Sequence, residues 1–393
     1  MMGFAGAQPI QRALPARAGA CPAARFSRTL GTTAFASPGF ASPGPDPPTG
    51  EESPVHVPRP SPAPFRISAF GFVLLAIAIP AIVPSGTAAA KDTGLVFVSN
   101  EKTNNLIVID PRTNKVVKDL RTSRRPRDMH FSADHTRLYV ACGDDDVIDV
   151  IDVTSLKVVG KLATGPSPET FAIDEARRRI YVANEEGSSL SIIDIDQNII
   201  VHEVPTGGEP EGVFVSRDGK TVYVTSEVGD VVHRIDAAAG HVDDDVVVGT
   251  RPRRFAATPD GRELWVSAEL SGEVDIIDRA TFAVAGKIEF LPPGMRKADV
   301  TPVGLAITRD GKTAYVTLGH AAHVAVVDVA SRKVLSYILV GKRAWGLALT
   351  RDEKTLYVAN GFGDDITVVD TAGRKAIVSI AVGRVPWGIA IDD

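Results

Sequence analysis

Apolar and polar positions alternate in blocks along this chain, and the blocks repeat. Seven times an aromatic residue followed by valine sits in an apolar stretch: Phe97-Val98, Tyr139-Val140, Tyr181-Val182, Tyr223-Val224, Trp265-Val266, Tyr315-Val316 and Tyr357-Val358. Successive pairs lie 42 residues apart, except for one step of 50. Each repeat holds four short apolar stretches separated by polar turns; in the third they cover residues 180–182, 190–195, 199–204 and 213–215. Stretches this short and this rich in Val and Ile predict strands. The second stretch is usually an unbroken run, as in Leu106-Ile107-Val108-Ile109, which predicts a strand buried on both faces. Small sheets stacked face to face bury their strands in that way. A period near 40 with four strands per unit therefore predicts a β-propeller, and seven repeats predict seven blades.

Turn chemistry agrees. Asp218-Gly219, Asp260-Gly261 and Asp310-Gly311 supply the positive φ that tight hairpin turns need. An aspartate follows the second stretch of every repeat, at Asp110, Asp152, Asp194, Asp236, Asp278, Asp328 and Asp370. Its side chain is expected to cap the next turn. The chain ends on Pro386-Trp387-Gly388-Ile389-Ala390-Ile391, which matches the stretch before each later aromatic-Val strand. That last stretch has no partner downstream. It is expected to complete the blade begun by residues 95–120, closing the ring and removing exposed edges. The predicted fold is all-β: a seven-bladed β-propeller with four-stranded blades, its C-terminal strand pairing with the N-terminal strands.

The first ninety residues differ in kind. They hold 15 of the 27 prolines and no lysine. Residues 69–83 are apolar except for Gly71 and Pro80, with Arg59 and Arg66 before them and Ala88-Ala89-Ala90 after. So short a run, with those flanks, predicts a secretory signal rather than a membrane span. Residues 66–90 are accordingly read as a signal peptide cleaved near Ala90, and 91–393 as a periplasmic propeller. Residues 1–65 are too long and Pro-rich for an ordinary leader. They are either a disordered extension or untranslated, with initiation at a codon such as that of Val55 or Val57. Cleavage after Ala90 leaves 43 − 6 = 37 basic and 48 − 3 = 45 acidic residues, a net charge of −8. That balance disfavours nucleic acid as a partner. Cys142 then stands alone, which rules out an internal disulfide.

Tyr-Val-Ala-Asn at 181–184 and 357–360, preceded by stretches such as Pro302-Val303-Gly304-Leu305-Ala306, resembles the YVTN family of β-propeller repeats. The Gly-His and Trp-Asp pairs of WD repeats are absent. Seven complete repeats behind a signal peptide, opened by Val98-Ser99-Asn100-Glu101, are most similar to the propeller proteins associated with PQQ-dependent alcohol catabolism. The resemblance implies an exported accessory protein that works beside quinoprotein dehydrogenases and a transport system, and an association with PQQ.

Function on a propeller gathers where loops converge at one mouth of the channel. Two repeat positions are expected there. One follows the proline that opens each inner strand: Arg127, Glu169, Glu211, Arg253, Val303, Trp345 and Trp387. The other follows the Tyr-Val-x-Asn strand: Glu101, Gly143, Glu185, Glu227, Glu269, Gly319 and Gly361. Arg124, Arg125, Arg251, Arg254, Arg343 and Arg384 are expected on the loops between them. Two readings stay open. One is mutual neutralisation at a solvated rim, where each pair contributes little. The other is a polar pocket with a two-tryptophan wall, suited to a small ligand with an apolar body and a charged group. The tryptophans could instead plug the channel. The extra loop 290–299 belongs to the same mouth, beside Val303, as a partner-docking loop, a lid or a neutral insertion.

Metal and redox chemistry find little support. His320 and His323 form a lone His-x-x-His, short of the three or four ligands of a zinc site. His130 is read as a hydrogen-bonded core residue. Cys-x-x-Cys-His, adjacent cysteines and Gly-x-Ser-x-Gly do not occur, and no catalytic residue is assigned. The sequence points to a monomeric, non-catalytic binding propeller tied to PQQ-dependent alcohol oxidation. A quinoprotein dehydrogenase, a transport component or a small molecule is the expected partner. The rivals are a propeller enzyme (a lactonase, another hydrolase or a dehydrogenase subunit) and a pure interaction scaffold.

Overall fold

The computed structural model describes residues 92–393; the expected signal peptide and the segment before it lie outside the described residues. Its 28 strands form seven antiparallel sheets of four. Blade 1 joins Val96–Asn100, Asn105–Asp110 and Lys115–Arg121 to the C-terminal strand Pro386–Ile391. Blades 2 to 7 start from inner strands Pro126–Phe131, Pro168–Asp174, Pro210–Val215, Pro252–Ala257, Leu305–Ile307 and Ala344–Leu349. These inner strands contact one another around the channel. The predicted fold is the observed one. Among the described residues no helix is long and apolar enough to cross a membrane.

The unbroken apolar runs are explained by the packing between blades. In Leu106-Ile107-Val108-Ile109, Leu106 and Val108 pack with Leu138, Val140 and Ile151 of blade 2. Ile107 and Ile109 turn the other way, onto Tyr357, Ile366 and Val368 of blade 7. A strand with a neighbour on each face has no side free for polar residues. Each such side chain, fully buried, contributes roughly 1.5–3 kcal/mol. The outermost strands have no such cover: Lys115–Arg121 is exposed at every position but Leu120.

The ring closes as the sequence predicts. Val96 pairs with Ile391, Phe97 with Ala390 and Val98 with Ile389. Beyond the strands, Asp392 N donates to Leu95 O at 2.9 Å, and the Asp392 carboxylate accepts from Thr93 N at 2.9 Å. The capping aspartates behave as expected in six repeats; Asp194, for example, accepts from Asp196 N and Gln197 N at 3.0 and 2.8 Å. Asp370 is the exception, making no such bond. Gly219, Gly261 and Gly311 hold φ of 63°, 71° and 68°.

Side-chain bridges tie consecutive inner strands together. Ser99, Thr225, Ser267 and Thr317 each donate to a carbonyl of the next blade: Arg127, Arg253, Val303 and Trp345 respectively. Where that residue is Ala141 or Ala183, a channel residue takes over. Asp128 accepts from Phe171 N at 3.2 Å, and Thr170 donates to the Glu211 carbonyl. Among the described residues only the step from blade 7 to blade 1 lacks such a bridge. There Ala359 stands at the bridging position and Gly346 in the channel. A Cβ on Gly346 would run into the Trp387 carbonyl, so only glycine allows this approach.

Candidate functional site

The mouth is shaped by a repeated bend. Residues just before the inner strands take left-handed φ: Arg125 56°, Ser167 60°, Glu209 53°, Arg251 60°, Arg343 58° and Val385 55°. Non-glycine residues adopt this region at a cost, and turns at the far end of the blades hold it as well, as at Asn114, Leu156 and Arg332. Arg125, Ser167, Arg251 and Arg343 use the bend to reach the mouth carboxylates or their partners.

The two ring positions meet, as expected, but not at a solvated rim. Glu169 is 0 % exposed, Glu211 1 % and Arg253 3 %; the rim reading is corrected to a buried ion network. In blades 1 to 3, Arg127 Nε lies 3.1 Å from Glu101 and its Nη1 contacts Glu169. Arg125 adds contacts to Glu169 at 3.2 Å, Glu185 at 3.8 Å and Asp144 at 3.0 Å. In blades 4 and 5, Arg253 contacts Glu227 and lies 3.4 Å from Glu211 and 3.6 Å from Glu269. Arg251 lies 2.7 Å from Glu227 and 3.3 Å from Glu269. Removing these groups from water is costly, and only their mutual pairing offsets it.

The titration behaviour follows from that closeness. Burial opposes ionisation of Glu211, but Arg253, Arg254 and Arg127 overcome it and hold the carboxyl below its usual range. Glu227 goes the other way. Burial, with help from the Glu211 and Glu269 charges, pushes it up to about 7 despite Arg253 and Arg251. Burial also works against the Arg253 charge, yet the three surrounding glutamates raise its affinity for the proton.

Blades 7 and 1 are different. Here a pocket of about 310 Å³ is lined by Trp345, Trp387, Phe362, Arg127, Arg343 and Lys102, with Glu101 at its edge. Trp387 is 1 % exposed, with two guanidinium groups against its ring, Arg254 at 4.0 Å and Arg127 at 5.5 Å. It is thus both wall and plug. Trp345 is half-buried, with Arg343 at 4.0 Å and Arg253 at 5.2 Å from its ring. Arg343 has one distant carboxylate, Glu269 at 3.9 Å, and donates to His320 Nε2 at 2.7 Å. The weak metal pair is therefore engaged elsewhere, since His323 Nδ1 meets the Ala321 carbonyl at 2.6 Å. Among the described residues no group of three or more His, Cys, Asp and Glu is placed to hold a metal.

Several residues fall elsewhere than expected. Arg254 is not on a loop but in strand Pro252–Ala257, its Nε 3.5 Å from Glu211. His130 is not core. Its ring is enclosed by the propeller yet 46 % accessible in the channel, and its Nε2 lies 3.0 Å from Asp128. Burial works against the His130 proton, but Asp128 raises its pKa above the ordinary value. Asp128, His130 and Arg254 share a channel cavity of about 150 Å³ with Gly212, Gly304 and Gly388. Comparing the glycines with Asp128 and Arg254 at one repeat position would have exposed this cluster in the sequence. Arg384 is exposed and Arg124 pairs with Asp145 at 2.7 Å outside the network. In the extra loop, Phe290 is 1 % exposed and packs on Trp265, Val300 and Leu318. Its apolar start is therefore an anchor, and Leu291 is the exposed part.

Residues 89–350 match the profile of the YNCE-like beta-propeller family. No curated protein is matched. Among solved structures, the hydrazine synthase of Kuenenia stuttgartiensis is similar at 23 % identity, covering 72 % of this chain and 93 % of that one, with a TM-score of 0.65. A functionally unknown protein from Desulfotomaculum acetoxidans gives 16 % identity, 76 % and 99 % coverage and a TM-score of 0.66. A putative 6-phosphogluconolactonase from Bacteroides uniformis gives 17 %, 77 % and 100 %, and 0.62. Likeness at these identities carries the fold alone.

Proposed function

The chain belongs to the YNCE-like β-propeller family, and on that premise we propose that it is an exported binding propeller serving PQQ-dependent alcohol oxidation, its ligand held at the mouth between blades 7 and 1. The observation that carries this reading is the pocket where Trp345 and Phe362 meet Arg127, Arg343 and Lys102. Its aromatic wall suits a flat apolar body and its cations suit acidic groups. Burial holds Arg127 and Arg343 below the usual guanidinium range, and nearby carboxylates offset this only in part. An anion in the pocket would restore the balance. The indole N–H groups of Trp345 and Trp387 are also buried without a partner, which a polar ligand would relieve.

PQQ, a planar aromatic acid with several carboxylates, fits this donor set. Arg127, Arg343 and Lys102 would serve its carboxylates and Trp345 its ring. Bound, it would supply two-electron redox chemistry, while the chain's own residues bind and orient it. A quinoprotein dehydrogenase or a transport component is the partner such a role calls for. The test is deletion of the gene followed by growth on several alcohols, with and without added PQQ. Impaired growth confined to alcohols supports the reading; undisturbed growth on all of them removes the link to alcohol oxidation.

A second reading, an enzyme acting at the mouth, draws on Glu227. A carboxyl pushed up to about 7 is suited to general acid–base work near neutral pH. Turnover by the purified protein that is lost in Glu227→Gln at unchanged melting temperature would favour it. Absence of turnover on lactones, esters and alcohols would dismiss it.

A further inference from the structure

The turn after each Tyr-Val-x-Asn strand ends in a tip residue that the fold repeats seven times: Lys102, Asp144, Glu186, Val228, Leu270, His320 and Phe362. All seven are exposed. Lys102, Asp144 and Glu186 show that a charged side chain satisfies the turn. The apolar tips of blades 4, 5 and 7 are therefore not required by local structure, although Val228 is 69 %, Leu270 63 % and Phe362 59 % exposed. Leu291 on the one long insertion and Leu339 at the end of its blade's outer strand add 56 % and 63 % exposed side chains to the same half of the same face. Water-facing apolar groups gathered on one sector, rather than scattered, mark an interaction surface.

Charge says what would cover it. Lys102, Lys342 and Arg384 are exposed, and none of them pairs with a carboxylate among the described residues. They sit together at the edge of the apolar sector: Lys102 N donates to Arg384 O at 3.2 Å, and Phe362 N to Lys342 O at 3.0 Å. We propose that the mouth face of blades 4 to 7, with this basic edge, docks an acidic and apolar segment of a partner protein. An anionic membrane is a poorer occupant. Asp144 and Glu186 stand at the same repeat position on blades 2 and 3, so a flat lipid surface would meet their charges as well. A partner covering half the ring avoids them. The docking surface shares Phe362 and Lys102 with the pocket, but it does not require the pocket to hold a ligand.

The experiment places a photo-crosslinking benzophenone residue at Val228 or Leu270 of the full chain in its own host, with Asp144 and Glu186 as control positions. Cross-linked peptides are then identified by mass spectrometry. The expected result is one protein partner captured from Val228 and Leu270 and not from the controls, through a peptide with acidic residues beside apolar ones. Lys342→Glu/Arg384→Glu, both exposed and thus compatible with folding, should cut capture by about tenfold, less so at high salt. Equal capture at the control positions, no product, or products formed only with lipid or with a second copy of this chain would overturn the proposal. So would capture that the charge reversals leave unchanged at the wild-type melting temperature.

Discussion

The two halves of the channel mouth are built on the same repeat positions and end in opposite states. In blades 3 to 5 those positions hold Glu169, Glu211 and Arg253, each answered by an opposite charge and shut away from water. In blades 6, 7 and 1 they hold Val303, Trp345 and Trp387, and the arginine nearest the Trp345 ring, Arg343, has one carboxylate partner, Glu269 at 3.9 Å. Side-chain bridges between inner strands are present at every step except from blade 7 to blade 1, the step that carries the pocket. The backbone repeat decides where a side chain stands. The side chain decides whether the site is closed by its neighbours or left for a ligand.

Removing residues 385–393 breaks both halves at once and should have the largest effect. Blade 1 would lose its inner strand and expose Phe97 and Val98 beside an unpaired edge. Thermal unfolding should show a severe loss or no cooperative transition. A truncated protein melting within about a degree or two of the full chain would contradict strand closure.

Arg253→Ala strikes the locked half first, although Arg253 also lies 5.2 Å from the Trp345 ring. It leaves Glu211, Glu227 and Glu269 crowded and buried without their common cation. Denaturant unfolding should show a loss of about 3–5 kcal/mol; a loss under about 1 kcal/mol would return the network to the status of a solvated rim.

A smaller effect separates the halves by pH. The Glu227 carboxyl rises from 4.5 to about 7 on folding, chiefly through burial. Between those values the folded protein keeps a proton that the unfolded chain has released. The contribution is full below about 4.5 and is lost as pH rises through about 7. Stability measured across this window should fall less steeply in Glu227→Gln than in the wild type; identical slopes would show that Glu227 is already ionised throughout.

The smallest change is expected outside both halves. Arg124 and Asp145 form an exposed pair at 2.7 Å. Arg124→Ala should leave the melting temperature close to the wild type, because exposed pairs contribute little, and serves as the baseline for Arg253→Ala.

The fold was legible because its signal is periodic. Seven copies of one apolar pattern average out local ambiguity, and the unmatched last strand shows where the ring closes. The mouth residues were legible as ring positions, yet their burial was not. Glu211 and Arg253 read as ordinary rim charges until the inner strands of adjacent blades bring them within 3.4 Å. Arg254 and His130 were misplaced because a strand that lines a channel points polar side chains inward, away from the blade cores. Phe362 and Lys102 escaped notice as pocket walls, since the tip position carries no fixed chemistry round the ring.

The open half is tested most directly by tryptophan fluorescence during titration with PQQ and with simpler aromatic acids, in the wild type and in Trp345→Ala. Trp265 is fully buried in the core between blades 5 and 6 and gives a constant background. Saturable binding is expected, weakened by ~2–4 kcal/mol in Trp345→Ala with a melting temperature close to the wild type, because Trp345 is half-buried. Trp387→Ala, by contrast, should lose stability as well, by ~3–5 kcal/mol. No saturable signal from any of these acids, or a Trp345→Ala protein that melts far lower while its affinity is unchanged, would contradict a ligand pocket and leave both tryptophans as channel core.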